Sequence, residues 1–185
     1  RGGPFQMVQL WVNLPARDKM APPGYQGIMA AQTPTVDLPD GAGTARLIAG
    51  ELLGEKGPAK TFTPMQVWDV KILAGHTVTL PAPEGHTTVP LVLRGRVKTQ
   101  DGAEATDAEM IVYERASEGV TLTAVTDTTL LWLAGEPIDE PVIGEHATPA
   151  ADAGGVDVND RLGFARGRRK QPGTRPVDLV PRLAG

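Results

Sequence analysis

The chain has 185 residues, a net charge of -4 and no cysteine. So mild a charge gives no electrostatic ground for binding nucleic acid or a membrane surface, and the lack of thiols excludes disulfides, thiolate metal sites and a cysteine nucleophile. No apolar run approaches the roughly 20 residues that a bilayer-spanning helix needs, and no signal-peptide pattern is present; the expectation is a soluble cytoplasmic protein.

Taken in chain order, Met7 to Asn13 reads as an apolar strand that Pro15 ends. Such a strand needs a partner sheet, and too little sequence precedes it to supply one. Ala21 to Pro39 is rich in Pro, Gly and Gln and reads as an irregular connection. Short apolar runs then recur at Ala45–Ala49, Gln66–Leu73, Thr77–Leu80, Thr87–Arg94, Met110–Tyr113, Val120–Ala124 and Thr129–Leu133. In the second of these Trp68, Val70 and Ile72 share one face while Asp69 and Lys71 share the other, the period-two pattern of a half-buried strand. Asp101-Gly102 signals a tight turn. Seven short strands, with 22 Gly and 17 Pro in the chain and no helical pattern of two turns before residue 150, predict an antiparallel sandwich or barrel.

Arg1 to Ile143 carries 11 basic and 17 acidic residues, and Gly144 to Gly185 carries 7 and 5. The hydrophobic pattern stops at the same place, which puts a boundary there. The last stretch holds one aromatic residue, Phe164, too little apolar surface to offset the entropy of ordering, and is expected to be disordered. Its basic run Arg166–Lys170 reads as a solvated tail.

Gln9-Leu-Trp-Val-Asn-Leu-Pro15, followed by Lys19-Met20, Pro22-Pro23 and Tyr25-Gln26, closely resembles the signature of the pirin family. Further segments resemble family landmarks in the family's order: Arg46–Glu51, Gly57-Pro58, Thr61–Pro64, Leu91–Gly95 and Leu131–Val142. The resemblance covers about Gly3 to Ile143. Gly24 departs from it, standing where the family usually has Arg, and so does everything after Ile143, where a closing helix would be expected.

The resemblance implies an all-β fold, a cupin jelly-roll barrel that is the second domain of a bicupin. Residues 1–20 would be the last strand of an N-terminal cupin domain, 21–44 the connection, 45–143 the C-terminal cupin domain, and 144–185 a disordered or divergent tail. It also implies Fe(II) or another divalent metal, held by three His and one Glu in the N-terminal domain upstream of Arg1. Activity like that of quercetin 2,3-dioxygenases is one expectation, with a flavonol as substrate. A non-enzymatic role, as a transcription cofactor or a regulator of a metabolic enzyme, is the alternative. A free-standing cupin binding module is a third. The implied partner of this chain is its own N-terminal cupin domain.

Laid on this chain, the cupin ligand frame falls on Gly75, Pro81-Ala82-Pro83, Thr88 and Gly95. Pro81 and Pro83 stand in the positions of the two His, and Thr88 stands in that of the carboxylate; none is a competent ligand for a divalent ion. The second motif falls on Ser117-Glu118-Gly119, with Leu122 in place of its His. No catalytic, cofactor-binding or metal residue is therefore assigned. His76, His86 and His146 read as turn or surface residues, and Glu84 beside His86 is the one pairing available to a metal site. Glu51, Glu55 and Glu136 read as surface carboxylates. Trp11, Trp68 and Trp132 are expected in the core, a stacking platform for a flavonoid or a base being the lesser reading.

Overall fold

In the alternating run Met65–Ile72, every second side chain must leave water together, and the structure builds its larger sheet around this. The computed structural model describes residues 7–116, 119–140 and 178–179. Its strands are β1 (Thr35–Asp37), β2 (Gly43–Ala49), β3 (Glu51–Leu52), β4 (Glu55–Lys56), β5 (Met65–Ile72), β6 (Thr77–Pro81), β7 (Thr87–Arg94), β8 (Arg96–Thr99), β9 (Glu104–Thr106), β10 (Ile111–Val112), β11 (Gly119–Ala124), β12 (Thr128–Gly135) and β13 (Asp178–Leu179). All their pairings are antiparallel.

Two main sheets result, one ordered β1-β2-β5-β12-β7 and the other β6-β11-β8-β9. Their apolar faces meet in one core. The larger sheet contributes Leu47, Trp68, Val70, Ile72, Val92, Leu130 and Trp132, and the smaller Val78, Leu80, Val97, Ala105, Val120, Leu122 and Ala124. This is a jelly-roll sandwich, as the sequence leads one to expect.

At its centre Trp132 of β12 lies opposite Trp68 of β5. The two indoles stack with centroids 5.9 Å apart and 9° between planes, and both are fully buried. Their row continues to Leu47 on β2 and Pro90 on β7. A proline is tolerated in this row because β7 is the last strand of its sheet. Val92 directs both its N–H and its C=O away from β12, to Glu109 and Ala108. Pro90, two residues earlier, therefore turns its missing donor the same way and costs the sheet no ladder bond.

Glycine is required where chains approach closely. At Gly43 (φ 146°) a Cβ would lie 1.9 Å from the Lys71 carbonyl oxygen, and at Gly95 (φ 98°) it would lie 2.4 Å from that of Asp127.

The structure corrects several expectations. Met7–Asn13 is not a strand: it meets the outer face of the larger sheet rather than an edge with free hydrogen-bonding groups. Met7, Val8 and Leu10 line a groove of about 770 Å³ there, with Ile48, Met65, Val67 and Leu131. Trp11 is 87% exposed and is not a core residue. The stretch read as an irregular connection contributes β1, which pairs with β2 and buries Val36. Two further strand pairs lie outside the seven apolar runs. In β3–β4 the turn residues Leu53 and Gly54 both have positive φ, the twist that a two-residue hairpin favours. β8 pairs with β9 across the Asp101-Gly102 turn. Most of the region read as a disordered tail, including His146, Phe164 and Arg166–Lys170, lies outside the described residues; within it, Asp178–Leu179 pairs with Ile111–Val112.

Replacing Trp132 by Ala should destabilise the domain by about 3–5 kcal/mol, as expected for truncating a buried aromatic residue. Urea denaturation followed by circular dichroism checks this; a loss below about 1 kcal/mol would mean that the stacked pair does not organise the core.

Candidate functional site

The ligand frame can now be placed in space. Gly75 and Gly95 occupy left-handed turns, with φ 82° and 98°, on either side of β6 and β7. The spacing of the frame is thus a property of the backbone. Pro81 ends β6 with its side chain exposed, and Pro83 is half-buried in the following turn. Thr88 sits on β7, 1% exposed. Leu122 is buried on β11 opposite Val78 and Thr99. Because Pro81 faces Gly119 of the same strand, Leu122 lies three residues further on, about 10 Å along β11. The four positions offer no imidazole and no carboxylate, and they do not fit a divalent cation. Among the described residues no three His, Asp or Glu side chains come together.

The histidines divide differently. His76 is half-buried, with Nδ1 3.3 Å from the Ala74 carbonyl oxygen. His86 belongs to the β6–β7 turn, where its N–H donates to the Pro83 carbonyl, and its Nδ1 is buried without a partner in the protein. Glu84 beside it is exposed, as are Glu51, Glu55 and Glu136.

One end of the core is polar, and sequence reasoning missed the grouping. Gln66 on β5 lies opposite Ala134 on β12, Ala134 opposite Thr88 on β7, and Thr88 opposite Tyr113. These four residues form a row one step beyond the tryptophans. Gln66 Oε1 accepts from Trp132 Nε1 at 3.1 Å. The Thr88 hydroxyl, the Tyr113 hydroxyl and Trp68 Nε1 are buried and have no hydrogen-bond partner in the protein. Burial first, and then the Asp101 carboxylate, raises the Tyr113 phenol well above its ordinary range. The end therefore presents neutral donors. Thr88 was legible in the sequence as a ligand position; Gln66 and Tyr113 carried no signal of their own.

The signature residues near the N-terminus serve as fastenings. Lys19 Nζ donates to Asn13 Oδ1 at 3.0 Å. Gln26 donates through Nε2 to the Lys60 carbonyl and accepts through Oε1 from the Lys60 N–H, each at 2.8 Å. At Gly24, where the resemblance leads one to expect Arg, a Cβ would meet nothing within 4 Å.

Against this geometry, the pirin C-terminal cupin domain family matches residues 67–145. The chain carries a pirin C-terminal cupin domain. It is 47% identical over 143 residues to a provisionally named quercetin 2,3-dioxygenase of Pseudomonas aeruginosa, covering 77% of this chain and 50% of that protein. A pirin-like protein of Caulobacter vibrioides is 36% identical, with 76% and 50% covered. Among solved structures, a quercetin 2,3-dioxygenase from Acinetobacter baumannii superposes with a TM-score of 0.69 at 41% identity, over 72% of this chain and 46% of that one. The chain spans about half the length of the curated relatives it matches. Among the described residues no helix is long and apolar enough to cross a membrane.

Two measurements test the site. Titrating the chain with Fe(II), Ni(II) or Zn(II) in a calorimeter should give no stoichiometric binding; a one-to-one site of micromolar affinity, lost in His86→Ala, would contradict the reading of the ligand frame. The second concerns Tyr113. Its folded pKa lies above the unfolded value of about 10, so its contribution is fully present below that pH and is lost as pH rises above it. The difference in unfolding free energy between the parent and Tyr113→Phe should therefore be flat up to about pH 9 and decline beyond about pH 10; a difference that stays flat up to about pH 11 refutes the burial argument.

Proposed function

We propose that this chain is the C-terminal cupin region of a metal-dependent dioxygenase of the quercetin 2,3-dioxygenase kind. Here it acts as the scaffold domain. The Fe(II) or other divalent metal and the flavonol belong to an N-terminal cupin domain. The observation that carries this reading is the combination of a retained backbone frame with Pro81, Pro83 and Thr88 at its ligand positions. The names borne by the Pseudomonas and Acinetobacter proteins support the reaction type. The partner is the protein's own N-terminal cupin domain, and the segment that meets it includes Trp11 and Val12, which are 87% and 47% exposed. Burying an indole in such a contact would contribute about 1.5–3 kcal/mol.

Quercetin consumption, followed by the decay of its visible absorbance with Fe(II) present, tests the proposal. The longer protein with an N-terminal cupin domain ahead of this chain should consume quercetin, this chain alone should not, and Trp11→Ala should weaken association of the separately expressed halves. Turnover by this chain alone would overturn the scaffold role. An Fe(II)-loaded two-domain protein that leaves quercetin intact would replace the enzyme with a non-enzymatic interaction protein.

A further inference from the structure

The outer face of the larger sheet carries the groove of about 770 Å³ that Met7, Val8 and Leu10 help to line, a volume within the range of small-molecule sites. Those three side chains line it and yet remain 68%, 45% and 45% exposed. Apolar surface left this wet gains by being covered. Ile48 on β2, Val67 on β5 and Leu131 on β12 supply an apolar floor, which β5 carries on to Met65 at one end. At the other end the face turns cationic. Lys71 on β5 lies opposite Thr129 on β12, and Thr129 opposite Arg94 on β7, so the three make one row across the sheet, and all three line the groove. Neighbouring strands lie about 4.8 Å apart, which sets the two cations one strand to either side of the Thr129 hydroxyl. Both are exposed, and among the described residues neither forms an ion pair. The acid of the groove, Asp69, sits in the adjoining row opposite Leu131, with Oδ2 3.9 Å from the Arg46 guanidinium on β2. Its charge is engaged there, so the excess at this end is positive.

We infer that this groove binds a free medium-chain carboxylate, its head between Lys71 and Arg94 over Thr129 and its alkyl chain along Ile48, Val67 and Leu131 toward Met65. Charge complementarity sets the head. Two unpaired cations and a hydroxyl donor share one row, and a carboxylate offers them two acceptor oxygens. A neutral head would leave both cations without a counterion, and a cationic head would be repelled. Length sets the tail: from Lys71 back to Met65 the strand runs about 20 Å, room for an extended alkyl chain. A bilayer surface is flat on this scale, whereas the acceptor is a groove between the sheet and the N-terminal segment, which suits a single chain. The site lies on the opposite face of the sheet from the tryptophan stack and Thr88, and it is independent of any metal and of the reaction proposed above.

Octanoate is the probe, titrated into the isotopically labelled chain and followed by amide chemical shifts. Val67, Lys71, Thr129 and Leu131 should shift saturably. From hexanoate through octanoate to decanoate, affinity should rise about two- to fourfold per methylene, as alkyl burial requires. Octanamide, the same chain with a neutral head, should bind at least fivefold more weakly. Lys71→Gln and Arg94→Gln should each weaken octanoate by about two- to fivefold, the range of an exposed ion pair, and leave octanamide unchanged; both sites are exposed, so the melting temperature should hold in both variants. Shifts that stay linear, an affinity indifferent to chain length, or equal binding of octanoate and octanamide would overturn the proposal. So would shifts at these amides that follow protein concentration instead of octanoate, which would give the groove to a second copy of the chain. Saturable binding to phosphatidylglycerol vesicles, lost in the same two variants, would replace the free carboxylate by a membrane surface and overturn it as well.

Discussion

The domain is organised by the cross-strand stack of Trp68 on Trp132. Three consecutive strands, β2, β5 and β12, are locked in register by the row Leu47–Trp68–Trp132, and β7 joins that row through Pro90. A slip of one residue would turn both indoles out of the core, because side chains alternate between faces. The stack also sets the chemistry of the neighbouring row, since Trp132 holds Gln66 by its indole N–H. Packing and polarity at this end of the sandwich are therefore fixed by the same pair of rings.

The ligand frame shows how backbone and chemistry separate in a domain of this kind. Gly75 and Gly95 are required by positive φ, and Gly95 in addition by the close approach of the Asp127 carbonyl. Those demands belong to the turns that lead into and out of β6 and β7, and they persist whatever side chains the strands carry. The ligand positions make no such demand. Pro81 can end β6 and Thr88 can occupy β7 without disturbing a turn. The Thr88 hydroxyl remains at the polar end of the core, beside a phenol that burial keeps protonated.

The N-terminal segment obeys a different constraint. Its apolar residues find the outer face of the larger sheet rather than a ladder, and its polar signature residues fasten it, Asn13 to Lys19 and Gln26 to the backbone of Lys60. Trp11, Met20 and Tyr25 remain exposed at 87%, 92% and 94%. Large exposed apolar side chains gathered in one stretch are the composition of a contact surface more than of a solvated loop.

The seven apolar runs and the turn glycines were legible from sequence, and each run matches a strand to within a residue or two. Alternation is a local property, written in the side chains themselves. The short strands β1, β3, β4, β8 and β9 were not legible, because two to four residues with charged outward faces carry too little periodicity to stand apart from a turn. Trp11 was misread because an apolar run states that burial is wanted, not which surface provides it. The absence of His and carboxylate at the ligand positions was likewise written in the sequence. What only the tertiary structure decided is which polar residues meet. Gln66, Thr88, Tyr113 and Ala134 are scattered along the chain and become one row solely through strand register, a long-range property that no local pattern encodes.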